Sequence, residues 1–475
     1  MIIDTALVPQ VPVEDEDRDL FARLYSTWAQ KRTRNLLRSA YYEGKNALRD
    51  FGIAVPPQMQ RAFTPLQWVA KGVHAVTRRS VFEGFVSPDG VADPFGMAGL
   101  LADNHFFEEL PGAVTSSAVH ACAFITVTEG DVSQGEPEIV MISRSADASA
   151  AVWDKRRRAL AGFLSIIDID GSEPTEIVFY TPQRVYTATR ENGRWTSSWV
   201  ANRLGEVPVA RLAYLPTLNR PFGQSRITRT AMGLTDAAVR TLLRAEVSAE
   251  FYSADKYWLF GADVSKFIGD DKWSALMGRM NAIDTGPNAE QKIDIHRFQG
   301  SSPQPHVEQM RLIQSMFADD QNLTVKFADA SNPSSADAIY AAKEDLIIDV
   351  RDANRVWGRG AVKAFQLAVQ LRDGGDMTDE LRAVSAQFTD PAIVSPSARA
   401  DAFSKLSAAI PGFAESEVGM KYAGLPLEDI TKFQAERERQ GASSRIAQLV
   451  EAARGLRAND ATIDANEDVQ EVRRQ

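Results

Sequence analysis

Arg220-Pro221-Phe222-Gly223-Gln224-Ser225-Arg226-Ile227 divides the chain into two grammars. Before it, from about Ala118 to Tyr214, short β-rich segments recur: Ala123 to Thr128, Glu138 to Ser143, Gly162 to Ile169, Glu176 to Thr181 and Arg184 to Thr189. Glu191-Asn192-Gly193-Arg194 supplies a hairpin turn, because Asn-Gly tolerates the positive φ of a type I′ turn. Beyond Pro221 the chain turns mainly helical, starting with a long helix predicted over Ser225 to Tyr252. A β-rich block that hands over to helices predicts an α+β fold.

Working outward, Asp19 to Tyr42 reads as a helix, with Leu20, Leu24, Trp28, Leu36 and Leu37 near helical spacing. A second helix is predicted over Thr64 to Arg79, with Pro65 at its first position and Val69, Val73 and Val76 on one face. Tyr41-Tyr42-Glu43-Gly44-Lys45 and Pro56-Pro57 read as connectors. In the other direction, Ser253 to Pro305 is a compact insertion and His306 to Gln321 a returning helix. A polar interruption, Asp329 to Ser335, then precedes a helix predicted over Ser335 to Arg372, roughly 55 Å long at 1.5 Å per residue. Ser334 is its candidate N-cap and Asp337 stands at N3. Gly358 and Gly360 in its middle each cost about 1 kcal/mol against Ala, which points to a kink or a close packing point. Ser395 to Arg454 is helical, and the polar residues from Leu456 read as a frayed tail.

On the first helix after the divide, Arg226, Arg229, Arg240 and Arg244 fall within about a 60° arc at 100° per residue. Such a stripe suits an acidic neighbour or a polyanion. The alternative is a solvated or inter-helix paired face, since Asp236 sits one turn before Arg240.

Composition limits the chemistry. The 475 residues are 44% hydrophobic and 24% charged, the mix of a chain with sizeable cores. Lys+Arg 53 against Asp+Glu 63 leaves a formal net charge of -10, with no bulk basic field to grip nucleic acid. A single cysteine, Cys122, cannot close an intramolecular disulfide, and His74, His105, His120, His296 and His306 are too scattered for a metal site by spacing. No apolar run approaches the roughly 18 residues of a membrane span. Met1 to Asp19 reaches the acidic run Glu14-Asp15-Glu16-Asp17 without a basic region, so it does not read as a signal peptide. Phosphate-binding, dinucleotide-binding, nucleophile-elbow and zinc-protease motifs are all lacking. His120 and Cys122 read as core residues rather than a base and nucleophile, and Asp168-Ile169-Asp170-Gly171 as a polar turn rather than a cation loop. No cofactor, metal or enzymatic activity is expected.

Four stretches carry a resemblance: Tyr41-Tyr42-Glu43-Gly44-Lys45, Leu204-Gly205-Glu206-Val207-Pro208-Val209, Arg220 to Ile227, and Ser331-Asn332-Pro333-Ser334-Ser335-Ala336-Asp337-Ala338-Ile339. In this order, over about Tyr41 to Arg454, they resemble the portal proteins of tailed bacteriophages, in particular those of siphophages infecting Gram-positive hosts. The resemblance implies a ring, commonly of twelve subunits, at one capsid vertex. Through it a terminase motor drives DNA inward, and the genome later leaves. It implies an N-terminal tail and helix (1–40), an α/β wing (41–224), a first stem helix (225–252), a clip (253–305), a second stem helix (306–328), a tunnel loop (329–335), a long helix and return (336–394), a helical crown (395–455) and a disordered tail (456–475). Asp329, Ser331, Asn332, Pro333 and Ser334 would form the tunnel loop, with Lys326 near the DNA path or simply on the surface. Arg226, Arg229, Arg240 and Arg244 would serve the stem interface, and Gly358 and Gly360 a hinge. Implied partners are further copies of the chain, the terminase large subunit, a head-to-tail adaptor, major capsid and scaffold proteins, and double-stranded DNA held without sequence specificity. The implied location is the virion, after assembly in the host cytoplasm, with no membrane. A phage maturation enzyme and a non-ring, scaffold-like capsid component are the alternatives.

Overall fold

The computed structural model describes residues 8–46, 65–88, 93–252, 256–260, 280–283, 294–298, 302–323, 344–392, 396–425, 429–430, 432–437 and 439. They divide between two units, Met1–Pro391 and Ala392–Gln475.

The first unit opens with α1 (Asp15–Glu43), whose first turn carries Asp15, Glu16 and Asp17 at the positive end of the helix dipole. Asp17 is also buried, accepting from Tyr186 Oη at 2.6 Å and Arg184 Nη1 at 3.1 Å. Gly44 ends the helix at φ 70, and Lys45 N then reaches Ala40 O at 2.8 Å. The stretch predicted as a connector is therefore a helix terminus with two tethers. Tyr41 Oη donates to Asp236 Oδ2 at 2.7 Å, and Tyr42 Oη shares a 2.8 Å hydrogen bond with His74 Nε2.

Next come α2 (Trp68–Thr77), β1 (Phe82–Val86), α3 (Met97–Asp103) and α4 (Phe106–His120). Pro65 lies outside α2 rather than at its first position, because the helix starts at Trp68. The β-rich block resolves into β2 (Cys122–Glu129), β3 (Ile139–Ser145), β4 (Ser149–Asp154), β5 (Ala159–Asp170), β6 (Glu173–Tyr180), β7 (Arg184–Glu191), β8 (Arg194–Ala201) and β9 (Val209–Ala213). They pair as two antiparallel sheets, β3-β2-β9 and the meander β4-β5-β6-β7-β8. Asn192 and Gly193 take φ 49 and φ 79 in the β7–β8 turn, as the Asn-Gly pair requires.

Strand β2 explains how the layers stack. Ala123, Ile125 and Val127 enter one core with α4, while Cys122 and Phe124 enter another with Phe163 and Tyr180 of the meander. Side chains alternate across a strand, so a strand covered on both faces must be apolar throughout. The other face of the meander is closed by Phe21, Leu24 and Trp28 of α1.

After β9 come α5 (Arg229–Tyr252), β10 (Lys256–Phe260), β11 (Met280–Ile283), β12 (Asp294–Phe298) and α6 (Gln304–Asp320). The three strands form a small sheet in the order β11-β10-β12, and α5 packs along α6. Then follow α7 (Glu344–Asp373), α8 (Asp379–Ala383) and β13 (Ser385–Phe388), which pairs antiparallel with β1. Leu346, Val350, Ala353, Trp357, Ala361, Ala364 and Ala368 of α7 are buried beneath the β3-β2-β9 sheet. Trp357 is fully buried, stacks on Tyr214 and donates to Ser117 Oγ at 2.8 Å. Truncating such a side chain to Ala costs about 3–5 kcal/mol.

The second unit contains α9 (Pro396–Ala409) and α10 (Glu417–Ala423). Ser416 Oγ caps α10 by accepting from Gly419 N at 3.0 Å, and Phe413 packs between Phe403 and Tyr422.

Candidate functional site

The dividing stretch is a corner clamped from both sides. Gly223 adopts φ 76, and a Cβ there would stand 2.2 Å from Tyr214 O, so only glycine fits. Gln224 N then donates to Tyr214 O at 2.9 Å and Arg226 N to Ala118 O at 2.9 Å. Ser225 Oγ donates to Val119 O and accepts from Ile227 N. The end of β9 and the end of α4 thus fix the direction in which α5 leaves.

Arg226 completes the clamp. Its guanidinium is buried, with Nε on Gly72 O at 2.8 Å, Nη1 on Tyr214 Oη at 2.7 Å and Asp349 Oδ2 at 3.3 Å, and Nη2 on Gln321 O at 2.5 Å. Asn322 Nδ2 donates to the same Asp349 oxygen at 2.9 Å. Gly72 leaves room for the Gln321 side chain, since a Cβ there would lie 2.6 Å from Gln321 Oε1 and displace the amide. One fork therefore joins α2, the residue after β9, the residue after α6 and the first turns of α7. Gln321 and Asp349 lie on either side of residues 324–343 in the chain, and Arg226 joins them.

This removes Arg226 from the predicted stripe, for two reasons. It precedes the first turn of α5, so the helical wheel does not apply, and its guanidinium is buried among Gly72, Tyr214, Gln321 and Asp349. Arg229 is exposed, while Arg240 and Arg244 are half-buried. Asp236, the carboxylate expected to occupy Arg240, accepts instead from Tyr41. Burial and this hydrogen bond raise the Tyr41 phenol well above its ordinary range, and Arg240 opposes the shift. Among the described residues, Arg229, Arg240 and Arg244 form no ion pair. On α6, Leu312 and Met316 are one turn apart and 62% and 52% exposed.

Gly358 and Gly360 lie inside an unbroken α7. A Cβ on Gly360 would stand 2.5 Å from Arg211 O of β9, and one on Gly358 3.2 Å from Phe388 Cε2 and 3.3 Å from Ala386 Cβ of β13. Of the two sequence alternatives, the geometry supports close packing and not a hinge. Asp329, Ser331, Asn332, Pro333, Ser334 and Lys326 lie outside the described residues, as does the predicted start of the long helix.

Leu204-Gly205-Glu206-Val207-Pro208-Val209 also serves the architecture. Val207 and Val209 are buried, and Glu206 Oε1 receives Lys363 Nζ of α7 at 2.6 Å. Sequence reasoning missed the tethers made by Tyr41, Tyr42, Glu206 and Arg226, whose partners lie 12 to 195 residues away.

Burial pushes the Cys122 thiol up to about 12, so at neutral pH it is a protonated packing group. His120 Nε2 stands 4.0 Å from Asp147, and burial lowers its basicity. Among the described residues no group of three or more His, Cys, Asp or Glu could hold a metal ion, and no helix is long and apolar enough to cross a membrane.

Comparison with known proteins agrees with the four motif stretches. The family of phage portal proteins described as SPP1 Gp6-like matches residues 22–440. The portal protein of Mycobacterium phage D29 is 27% identical over 442 residues, 90% of this chain and 88% of that one. That of Mycobacterium phage L5 is 26% identical over 421 residues, 85% of each. A chain from the neck of a native GTA particle, computed with C12 symmetry, aligns over 82% of this chain and 99% of its own, with 12% identity and a TM-score of 0.39.

Proposed function

The chain belongs to the SPP1 Gp6-like phage portal protein family and serves as a virion portal, and we propose how its parts divide that work. Copies of the chain assemble head to tail into a closed ring, taken as twelve. Such heterologous contacts close when the rotation between neighbours divides a full turn. The α/β block up to the Arg220–Ile227 corner forms the wing. Helices α5 and α6 form the stem, the insertion containing β10, β11 and β12 forms the clip, and α9 and α10 belong to the crown.

Residues 329–335 form the tunnel loop. The observation that supports this reading is the Arg226 clamp: one buried guanidinium holds Gln321 and Asp349, the described residues it contacts on either side of 324–343, and such a fixed frame suits a loop that must contact a moving polymer. Double-stranded DNA passes through the channel without sequence specificity, terminase docks during packaging, and a head-to-tail adaptor takes its place afterwards. The ring assembles in the host cytoplasm with major capsid and scaffold proteins. The chain's role is structural, and the energy for DNA movement comes from the separate motor.

Light scattering on the purified chain tests the ring. Twelve copies of 52.2 kDa give a particle of about 0.6 MDa without nucleotide or metal. A folded monomer at micromolar concentration would overturn the reading.

A further inference from the structure

Lys155-Arg156-Arg157-Arg158 forms the tip of the β4–β5 hairpin, and all four residues are exposed. The tip is held in one shape. Asp154 Oδ1 accepts from Arg156 N at 2.8 Å and Arg157 N at 3.0 Å, and Arg158 takes the left-handed conformation at φ 54. These two backbone donors, with help from the nearby guanidinium charges, hold the Asp154 carboxyl below its ordinary range. The last β5–β6 pair is Phe163 with Tyr180, and within the sheet the four residues of β5 before Phe163 adjoin β4 alone. The turn end is braced by Trp153, the residue before Asp154, which lies under the Arg211 guanidinium at 4.4 Å and against Phe222 of the corner.

Four adjacent cations on a braced tip, in a chain of net charge -10, concentrate positive charge where the rest of the protein is acidic. Among the described residues none of the four forms an ion pair. We infer that this hairpin tip is a sequence-independent contact for the phosphate backbone of double-stranded DNA, separate from the channel loop. A duplex offers one phosphate per about 1.7 Å of axis, so four cations find partners without register. The tip exposes no aromatic side chain for stacking on bases, and Leu160 packs inward. A folded acidic protein is the poorer fit, since protein interfaces are anchored by buried aromatic or aliphatic groups that this tip does not offer. The inference rests on the portal reading only in taking duplex DNA as the polyanion at hand.

The test is fluorescence anisotropy of a labelled 24-base-pair duplex with the full-length assembled protein, from 50 to 200 mM salt. Four phosphate contacts predict an affinity loss of about 100-fold across that range. The variant K155Q/R156Q/R157Q/R158N, with Asn chosen for the left-handed position, should bind at least tenfold more weakly at 50 mM. Its salt slope should be shallower by about 3.6. Arg156→Gln alone leaves both backbone bonds to Asp154 in place and should shift the slope by about 1, so the inference remains testable if the quadruple variant fails to fold. Unchanged duplex binding by either variant would overturn it. So would poly-glutamate that displaces the duplex at equal charge concentration, which would assign the tip to an acidic protein segment. Neither result would alter ring assembly, which is read by light scattering on the same samples.

Discussion

Arg226 joins four chain segments, and its loss should cost more than that of any arginine on α5. Arg226→Ala would leave Asp349 with Asn322 in place of the guanidinium charge and would take a donor from three further acceptors, Gly72 O, Tyr214 Oη and Gln321 O. Removing one member of a buried ion pair costs about 3–5 kcal/mol. Arg226→Lys should recover only part of this, because an ammonium group cannot address acceptors spread around a planar fork. Thermal unfolding gives the size of the effect, and hydrogen exchange at 321–323 and 344–349 gives its place; equal stability of the Lys variant would show that charge alone suffices. Nothing local in the sequence marks this role, since Gly72 and Gln321 lie 154 and 95 residues away and helical periodicity assigned Arg226 to a face it does not share. Cys122 was easier to read, an isolated thiol in an apolar strand. The folded protein holds its proton more tightly than the unfolded chain, with the thiol raised from 9.0 to about 12. Cys122 therefore adds stability that is complete below pH 9 and is lost as pH climbs towards 12. At pH 8 the native protein should not react with Ellman's reagent, whereas denaturant should release one thiol per chain; rapid native labelling would refute the buried placement.

At the scale of elements, the glycines of α7 separate packing from propensity. Gly360→Ala drives a methyl against the backbone of β9, which cannot rotate away, and overpacking of this kind costs about 1–3 kcal/mol. Gly358→Ala meets the edge of the Phe388 ring, which can shift, and recovers about 1 kcal/mol of helix propensity. Melting curves should therefore show Gly360→Ala destabilised and Gly358→Ala near neutral; equal effects would contradict the packing account. On α5, Arg240→Glu or Arg244→Glu should lower the ring fraction seen by light scattering, since half-buried guanidinium groups without an ion-pair partner among the described residues suit an acidic group on a neighbouring copy. Intact rings in both variants would assign these arginines elsewhere. Elements with one clear period were legible from sequence: α1, α6, the interior of α7, and β5 to β7. α4 was missed because Pro111 and Gly112 interrupt its apolar pattern, β4 and β9 because strands of six and five residues give few alternations, and β8 because Thr196-Ser197-Ser198 breaks its apolar alternation. β1 and β13 stabilise each other across some three hundred residues, which no local window samples.

At the scale of the whole molecule, composition conceals what matters for assembly. A total of -10 says nothing of the four adjacent cations on the β4–β5 tip, which are offset by acidic groups elsewhere. Three of the four motif stretches lie among the described residues, and they were legible because they fix a helix end, a tether and a corner, positions that admit few residue types. The net charge itself sets a condition on the ring. Two bodies of charge -10 a few tens of ångströms apart repel by on the order of 10 kcal/mol in water without salt. That repulsion fades once the Debye length falls to about 8 Å near physiological ionic strength. Contacts at ion-pair distance between stem helices, being shorter than the Debye length and partly buried, are screened much less. The long-range term therefore decides the sign of the salt effect. Light scattering should show the ring fraction rising as salt is raised from about 0.02 to 0.15 M, then levelling off. Arg240→Glu takes each copy from -10 to -12, so it should move that rise to higher salt as well as weaken the plateau. Rings that instead came apart over the same range would show that attraction between opposite charges on neighbouring copies, and not apolar packing against a repulsive background, holds the portal closed.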